Sequence, residues 1–192
     1  IFPDSSVKKF NKGTKVIDVA KSISEGLARK VISASFNKEV YEIESELHSD
    51  GSIKFYTWED DEGKQAFWHS SAHILAQTIK FFYPKCKLTI GPSIENGFYY
   101  DVDFDGDTIS EKDFNKIEVK FLEFARLNSH FMKKSISKKD ALDFYKKESN
   151  QYKIELIDAL DDGTITFCDH SDFSDLCKGG HIPSTGIVKA VK

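Results

Sequence analysis

"FWHSSAHILAQTIKFFYP", residues 67–84, reads as a helix, and what it carries decides how the rest of the chain is read. Trp68, Ala72, Leu75, Ile79 and Phe82 recur at helical spacing and form an apolar arc. His69 and His73 are four places apart, so at about 100° per residue their rings stand about 40° from each other, beside that arc. Two imidazoles bordering a buried face suit a pocket wall. The same pair could also be two partly buried histidines, each satisfied by a backbone carbonyl.

Upstream, "VKKF", a turn at "NKGT" and "KVIDVAKSISEGLARKVI" read as a hairpin and an amphipathic helix. Thr14 is its candidate N-cap, with Val16, Val19, Ala20, Ile23 and Leu27 on one face. "ISASFNKEVYEI", broken at Asn37-Lys38, and the alternating "SIKFYTW" add strands, so residues 1–61 are expected to form a small sheet covered by one helix, a β-grasp pattern. The opening "IFPDSSVKKF" has no initiator Met and no signal-peptide core, and is read as starting inside a truncated first strand. The acidic stretch from Glu59 to Gln65 reads as a linker or junction.

Downstream, residues 62–192 are expected to form a larger α+β domain with an antiparallel sheet and helices. "CKLTIGPSIENGFYYDVDF" is a Gly/Pro-rich loop entering an aromatic strand. Ser110 caps a long helix and Ser137, with Asp140 three residues on, caps another. "QYKIELIDAL" fits either helix or strand. The tail holds short strands around a glycine turn.

The chain has 192 residues, 40% of them hydrophobic and 13% aromatic, enough for real cores. A net charge of −4 leaves no bulk basic signature, so any contact with nucleic acid must use a local patch such as Lys133, Lys134, Lys138, Lys139, Lys146 and Lys147. Runs of this kind are as often merely solvated. Cys86, Cys168 and Cys177 are odd in number and sparse, which argues against a disulfide framework and for a cytoplasmic setting. No apolar run approaches membrane-spanning length.

A second cluster, "DLCKGGH", places Cys177 and His181 four apart on a turn with paired glycines. Three imidazoles and a thiolate make a plausible tetrahedral zinc set or, without metal, a polar pocket that positions a water. Spacing alone does not choose. Together with "GPSIENGFYYD", however, the two clusters are specific, and the chain resembles the amino-terminal part of threonyl-tRNA synthetase along essentially its whole length. "FPDSSVKKF" and "DVAKSIS" look like its TGS domain, a β-grasp module. "HSSAHILAQ", "IGPSIENGFYYDVD", "QYKIELI" and "DLCKGGHIPSTG" look like its editing domain. Alanyl editing domains share the two histidine-bearing elements but not the TGS-like segment or "ENGFYYD". Gly180 departs from the family, which usually has proline before the last histidine.

The resemblance implies hydrolysis of the ester in Ser-tRNA(Thr), the product of mistaking serine for threonine. The missing methyl is worth only ~1 to 3 kcal/mol in a pocket, so a second sieve is needed. It carries the family's pocket onto His69, His73, Tyr100, Lys153, Asp175, Cys177 and His181. Catalysis is expected from His69 and Lys153, which position water and steady the leaving oxygen, with His73; substrate binding is expected from Tyr100, Asp175, Cys177 and His181. In this reading His73, Cys177 and His181 shape the small pocket, Asp175 holds the serine ammonium, and Tyr100 lies near the terminal adenosine. No metal is expected, zinc on His69, His73, Cys177 and His181 being the alternative. ATP, Mg and amino-acid activation are not expected, because those parts come later in the resembled enzyme. A binding module that does not hydrolyse is the further alternative. The expected partner is serine-mischarged tRNA(Thr), with a monomeric fragment of an enzyme that is a homodimer at full length. Without the resemblance, Lys153 would be read as an exposed lysine, and Cys86, Cys168, His48, His130 and His170 as structural or surface residues.

Overall fold

The computed structural model describes residues 1–192. They form two compact units, Ile1–Phe67 with Gly179–Pro183, and Trp68–Lys178 with Ser184–Lys192.

In the first unit β1 (Thr14–Lys15) leads directly into α1 (Val16–Ile23), which stops at the extended Ser24. The Ser24 hydroxyl accepts from Leu27 N at 3.0 Å and caps a separate short helix, α2 (Glu25–Lys30), so the single expected helix is in fact two. β2 (Ser33–Phe36) is the middle strand between β3 (Glu39–Tyr41) and β5 (Ile53–Tyr56), all antiparallel, while β4 (Glu46–Leu47) pairs with β1. Asn37 and Lys38 form the turn between β2 and β3 with φ of 53° and 70°, as the break in the pattern required. The expected hairpin at "VKKF" does not form. The partner of Thr14–Lys15 is the distant Glu46–Leu47, and Lys15 rather than Thr14 holds the N-cap position. Val16, Val19 and Ala20 of α1 pack on Ala34, Phe36, Ile43 and Ile53, giving the unit its own apolar core.

α3 (Asp61–Phe82) starts inside the stretch read as a linker. Asp61 and Glu62 lie in its first turn, where the helix dipole favours carboxylates, and the Asp60 carboxylate folds back to accept from Thr57 N at 2.8 Å. The division between the units falls within this helix, between Phe67 and Trp68.

The second unit continues with β6 (Lys87–Leu88), β7 (Ser93–Ile94), β8 (Gly97–Phe98) and β9 (Val102–Asp103); β7 and β8 form a hairpin, and β6 pairs with β9. α4 (Glu111–Arg126) opens on Ser110, as expected, and the structure adds Asp113, whose carboxylate accepts from Ser110 N at 2.9 Å in a reciprocal cap. β10 (Met132–Ser135) precedes α5 (Lys138–Lys147), whose Ser137 cap is also as expected. "QYKIELID" resolves as α6 (Gln151–Asp158). β11 (Thr166–His170) and β12 (Phe173–Leu176) complete an antiparallel sheet in the order β10-β11-β12, and a 3-10 turn spans Thr185–Ile187. One core joins Ala76 and Ile79 of α3 to Cys86, Leu88 and Ile117, and another joins α5 and α6 to Ile165 and Phe167. Helices with antiparallel sheets make the chain α+β, as the sequence indicated. No helix is long and apolar enough to cross a membrane.

Candidate functional site

α3 holds His69 half-buried and His73 buried, their ring centroids 4.9 Å apart. Cys177 follows β12 and is fixed by its N–H donating to Thr166 O at 3.0 Å. Its sulfur lies 3.1 Å from His69 Nε2 and 3.3 Å from His73 Nε2. A thiol has one proton to give, so at least one of these rings must act as donor, and a thiolate would accept a hydrogen bond from both. The two sequence clusters therefore meet around one sulfur.

Asp175, two residues earlier on β12, anchors a second group. Its Oδ1 is 2.7 Å from Lys153 Nζ and accepts from Tyr145 OH at 2.9 Å; its Oδ2 accepts from Tyr100 OH at 2.5 Å. Lys153 is 2% exposed and Asp175 3%. Burial alone would raise the Asp175 carboxyl, but the Lys153 ammonium, then His73, hold it below its ordinary value, with hydrogen bonds from Lys153 and Tyr100 adding to the effect. Burial, followed by the Asp175 charge, pushes the Tyr100 and Tyr145 phenols well above theirs, so both remain donors.

The fold supplies each of these side chains by a local device. Asn150 accepts Lys153 N at 3.2 Å and donates to Leu88 O at 2.8 Å, tying the start of α6 to β6. Thr89 N donates to Asp101 O and Asp101 N to Ile90 O, extending the β6–β9 pairing past Tyr100. A Cβ on Gly91 would stand 2.3 Å from the Tyr100 ring, so the glycine in "IGPS" is what lets that ring lie against the backbone.

His181 belongs to the stretch that groups with the first unit, where its Nδ1 lies 3.0 Å from Glu42 Oε1. The first compact unit thus takes in Gly179–Pro183 as well as the residues up to Phe67. Gly180 adopts φ of 92° and donates its N–H to Glu42 Oε1 at 2.9 Å. A proline could do neither.

Sequence reasoning missed Tyr145 and Glu42, which act on their partners across fold contacts that carry no local signal, and Asn150, whose local signal, an Asn three residues before Lys153 at a helix start, was there to be read. His170 is buried, with its ring 4.9 Å from that of Phe131 and 5.4 Å from that of Phe173. The lysine group is partly committed internally: Lys134 pairs with Asp169 at 2.5 Å, and Lys138 donates to the carbonyls of Asp158 and Leu160.

His69, His73 and Cys177 offer donor atoms within 4.8 Å of one another, and their types suit zinc. Around a tetrahedral zinc, sulfur and nitrogen ligands stand about 3.5 Å apart. The observed 3.1 and 3.3 Å are tighter and match direct hydrogen bonds involving sulfur.

An α+β chain with a β-grasp unit ahead of a buried His/Cys and Lys/Asp constellation is the class defined so far, and residues 1–57 match the TGS domain family. Over 190 residues the chain is 58% identical to threonine--tRNA ligase of Flavobacterium psychrophilum, covering 99% of the chain and 29% of that protein. It is 47% identical to the enzymes so named from Cytophaga hutchinsonii and Clostridioides difficile, covering 99% and 98% of the chain and 30% of each relative. Along essentially its whole length the chain matches the amino-terminal part of threonine--tRNA ligases, TGS domain included, and it spans less than a third of those relatives' length.

Proposed function

We propose that this segment hydrolyses the ester bond of Ser-tRNA(Thr), releasing serine and tRNA(Thr) in the cytoplasm as the proofreading part of a threonine--tRNA ligase. The observation that carries the reading is the buried Lys153–Asp175 pair next to a thiol held by two imidazoles. Two charges removed from water are weak support for stability, and at a cluster of titratable groups they point to chemistry.

Ester hydrolysis needs a water placed against the carbonyl carbon, an acceptor for its proton and positive charge near the developing oxyanion. His69, the more exposed imidazole, takes the proton of the attacking water. Lys153 supplies the positive charge and steadies the ribose oxygen, which leaves as a hydroxyl carrying the proton that His69 took from the water. Asp175 already meets an ammonium, that of Lys153, and the serine ammonium joins or displaces it there. Tyr100 faces the terminal adenosine. His73, Cys177 and His181 close the pocket so that the threonine methyl is excluded.

Incubating the chain with Ser-tRNA(Thr) and Thr-tRNA(Thr), with and without chelator, tests the reading. Rapid, chelator-insensitive loss of serine alone is expected. Binding without deacylation would reduce the segment to an RNA-binding module. Activity lost on chelation and restored by zinc would make His69, His73, Cys177 and His181 zinc ligands.

A further inference from the structure

Lysines from separate elements of the second unit converge on one cleft of about 650 Å³. Lys80 lies in the last turn of α3, Lys85 between α3 and β6, Lys87 on β6 and Lys147 in the last turn of α5. The carboxylates in the cleft are Glu148, 3.2 Å from Lys80 Nζ, and Asp105, 2.8 Å from Lys87 Nζ. Lys80 also donates to Cys86 O at 3.0 Å, and Asp103 stands 3.7 Å from Lys87. Lys85 and Lys147 are exposed, and their ammonium groups meet neither a carboxylate nor a carbonyl. A position at a negative helix end accounts for Lys80 and Lys147 taken singly. It does not account for Lys85, which belongs to no helix, or for a surplus of positive charge gathered in a concavity of a chain whose net charge is −4. The cleft also adjoins the candidate site. Lys80 follows His73 by two turns on the same face of α3, about 10 Å along the axis. Ser149 in the cleft precedes Asn150, whose side chain joins the start of the Lys153 helix to Leu88, the neighbour of Lys87.

We propose that this cleft is a phosphate-binding site for the RNA substrate: Lys85 and Lys147, beside the internally paired Lys80 and Lys87, neutralise phosphates of the 3′ arm whose ester reaches the Lys153–Asp175 pair. The choice of RNA among polyanions rests on the hydrolytic reading above. Lysine suits the task, being a compact charge on a flexible stem that follows a backbone without demanding one geometry. A row of phosphates matches lysines carried on separate elements, whereas a single small anion is held by convergent, fixed donors such as a backbone nest. Phosphate contacts carry no sequence information, so the cleft adds affinity and register and leaves discrimination between serine and threonine to the pocket. Of the lysines read from the sequence as a candidate patch, Lys147 alone lines this cleft.

The test uses the whole 192-residue chain with tRNA(Thr) and Ser-tRNA(Thr), the double variants Lys85→Ala/Lys147→Ala and Lys85→Glu/Lys147→Glu, and Lys133→Ala/Lys139→Ala as the rival patch, with circular dichroism to confirm each fold. Fluorescence anisotropy follows binding of tRNA(Thr) from about 50 to about 200 mM salt, where each lysine that neutralises a phosphate steepens the fall of log K with log salt by about 1. Across that range the Lys85→Ala/Lys147→Ala chain should therefore lose about 10-fold less affinity than the wild type, and the glutamate pair should bind more weakly still at the low-salt end. With Ser-tRNA(Thr) the defect should fall on KM rather than kcat. The KM difference should disappear with 3′-O-seryladenosine, an ester that has no phosphate. An unchanged salt slope in the cleft variants overturns the inference, as does a slope lost in Lys133→Ala/Lys139→Ala instead. A wild-type chain that does not bind tRNA(Thr) at the low-salt end overturns it as well. Failure of the hydrolytic reading shows differently: the wild type would bind tRNA(Thr) with the lysine-dependent slope and leave both esters intact, and the cleft would then stand as the phosphate site of an RNA-binding module.

Discussion

In the first unit α1 and the sheet meet through Val16, Val19, Ala20, Ala34 and Ile53, and within residues 1–57 the buried polar side chains are Ser33 and Ser35. In the second unit Lys153, Asp175 and His73 are as closed to water as the aliphatic core around them, with the Tyr145 hydroxyl turned onto Asp175. The first interior is explained by removal of apolar area from water alone. The second is not, because matched aliphatic side chains would be as stable there or more so. A lysine–carboxylate pair closed to water occurs in the second unit, whereas the first buries only the His181–Glu42 contact at its edge, and this contrast marks the second interior as the part built for chemistry.

Lys153→Ala should break that contrast most severely. It strands a buried carboxylate, so a loss of about 3 to 5 kcal/mol in urea unfolding of the second unit is expected. Deacylation of Ser-tRNA(Thr) should fall by about 10²- to 10⁴-fold, the range for loss of a group that stabilises the oxyanion or handles a proton. Wild-type rates in a folded Lys153→Ala chain would reduce the pair to a structural relic.

Ile53→Ala tests the scaffold side. The residue is 5% exposed in the first core, so a cost of about 2 to 5 kcal/mol is expected by denaturant titration. Deacylation per folded molecule should not change. A large loss of activity at full folding would mean that the two interiors do not divide the labour in this way.

Smaller effects sharpen the contrast within the second unit. Ser110→Ala removes half of the reciprocal cap on α4, which should cost about 1 kcal/mol without altering hydrolysis. Cys86 is 1% exposed and burial pushes its thiol up to about 11, so at pH 8 it should resist iodoacetamide in the folded chain and react only on unfolding. Mass spectrometry of the alkylated protein decides this, and rapid native labelling of Cys86 would show that this core opens more easily than its packing implies.

Local chemistry was legible from the sequence wherever its cause is local. The Ser110 and Ser137 caps, the turn at Asn37-Lys38 and the His69–His73 stripe depend on residues within four places of each other, and each stands in the structure as read. Pairing decided by distant residues was not legible: the strand partner of Thr14–Lys15 lies beyond two helices, and a helix that starts with acidic residues looked like a linker.

The same boundary runs through the candidate site. Family resemblance named Lys153, but no property of "YKIEL" by itself distinguishes a lysine 2% exposed from one facing solvent, because its burial is set by Asp175 on β12 and by Tyr145 on α5. Glu42 and His181 are 139 positions apart, and only the return of the chain to the first unit brings carboxylate and ring within 3.0 Å. Sequence alone determined which donors and charges the protein owns and which short helices and turns carry them, since those follow from spacing and backbone preference. The tertiary structure alone decided which of them lose water and face one another, because desolvation and charge pairing depend on everything that packs around a group and not on its neighbours in the chain.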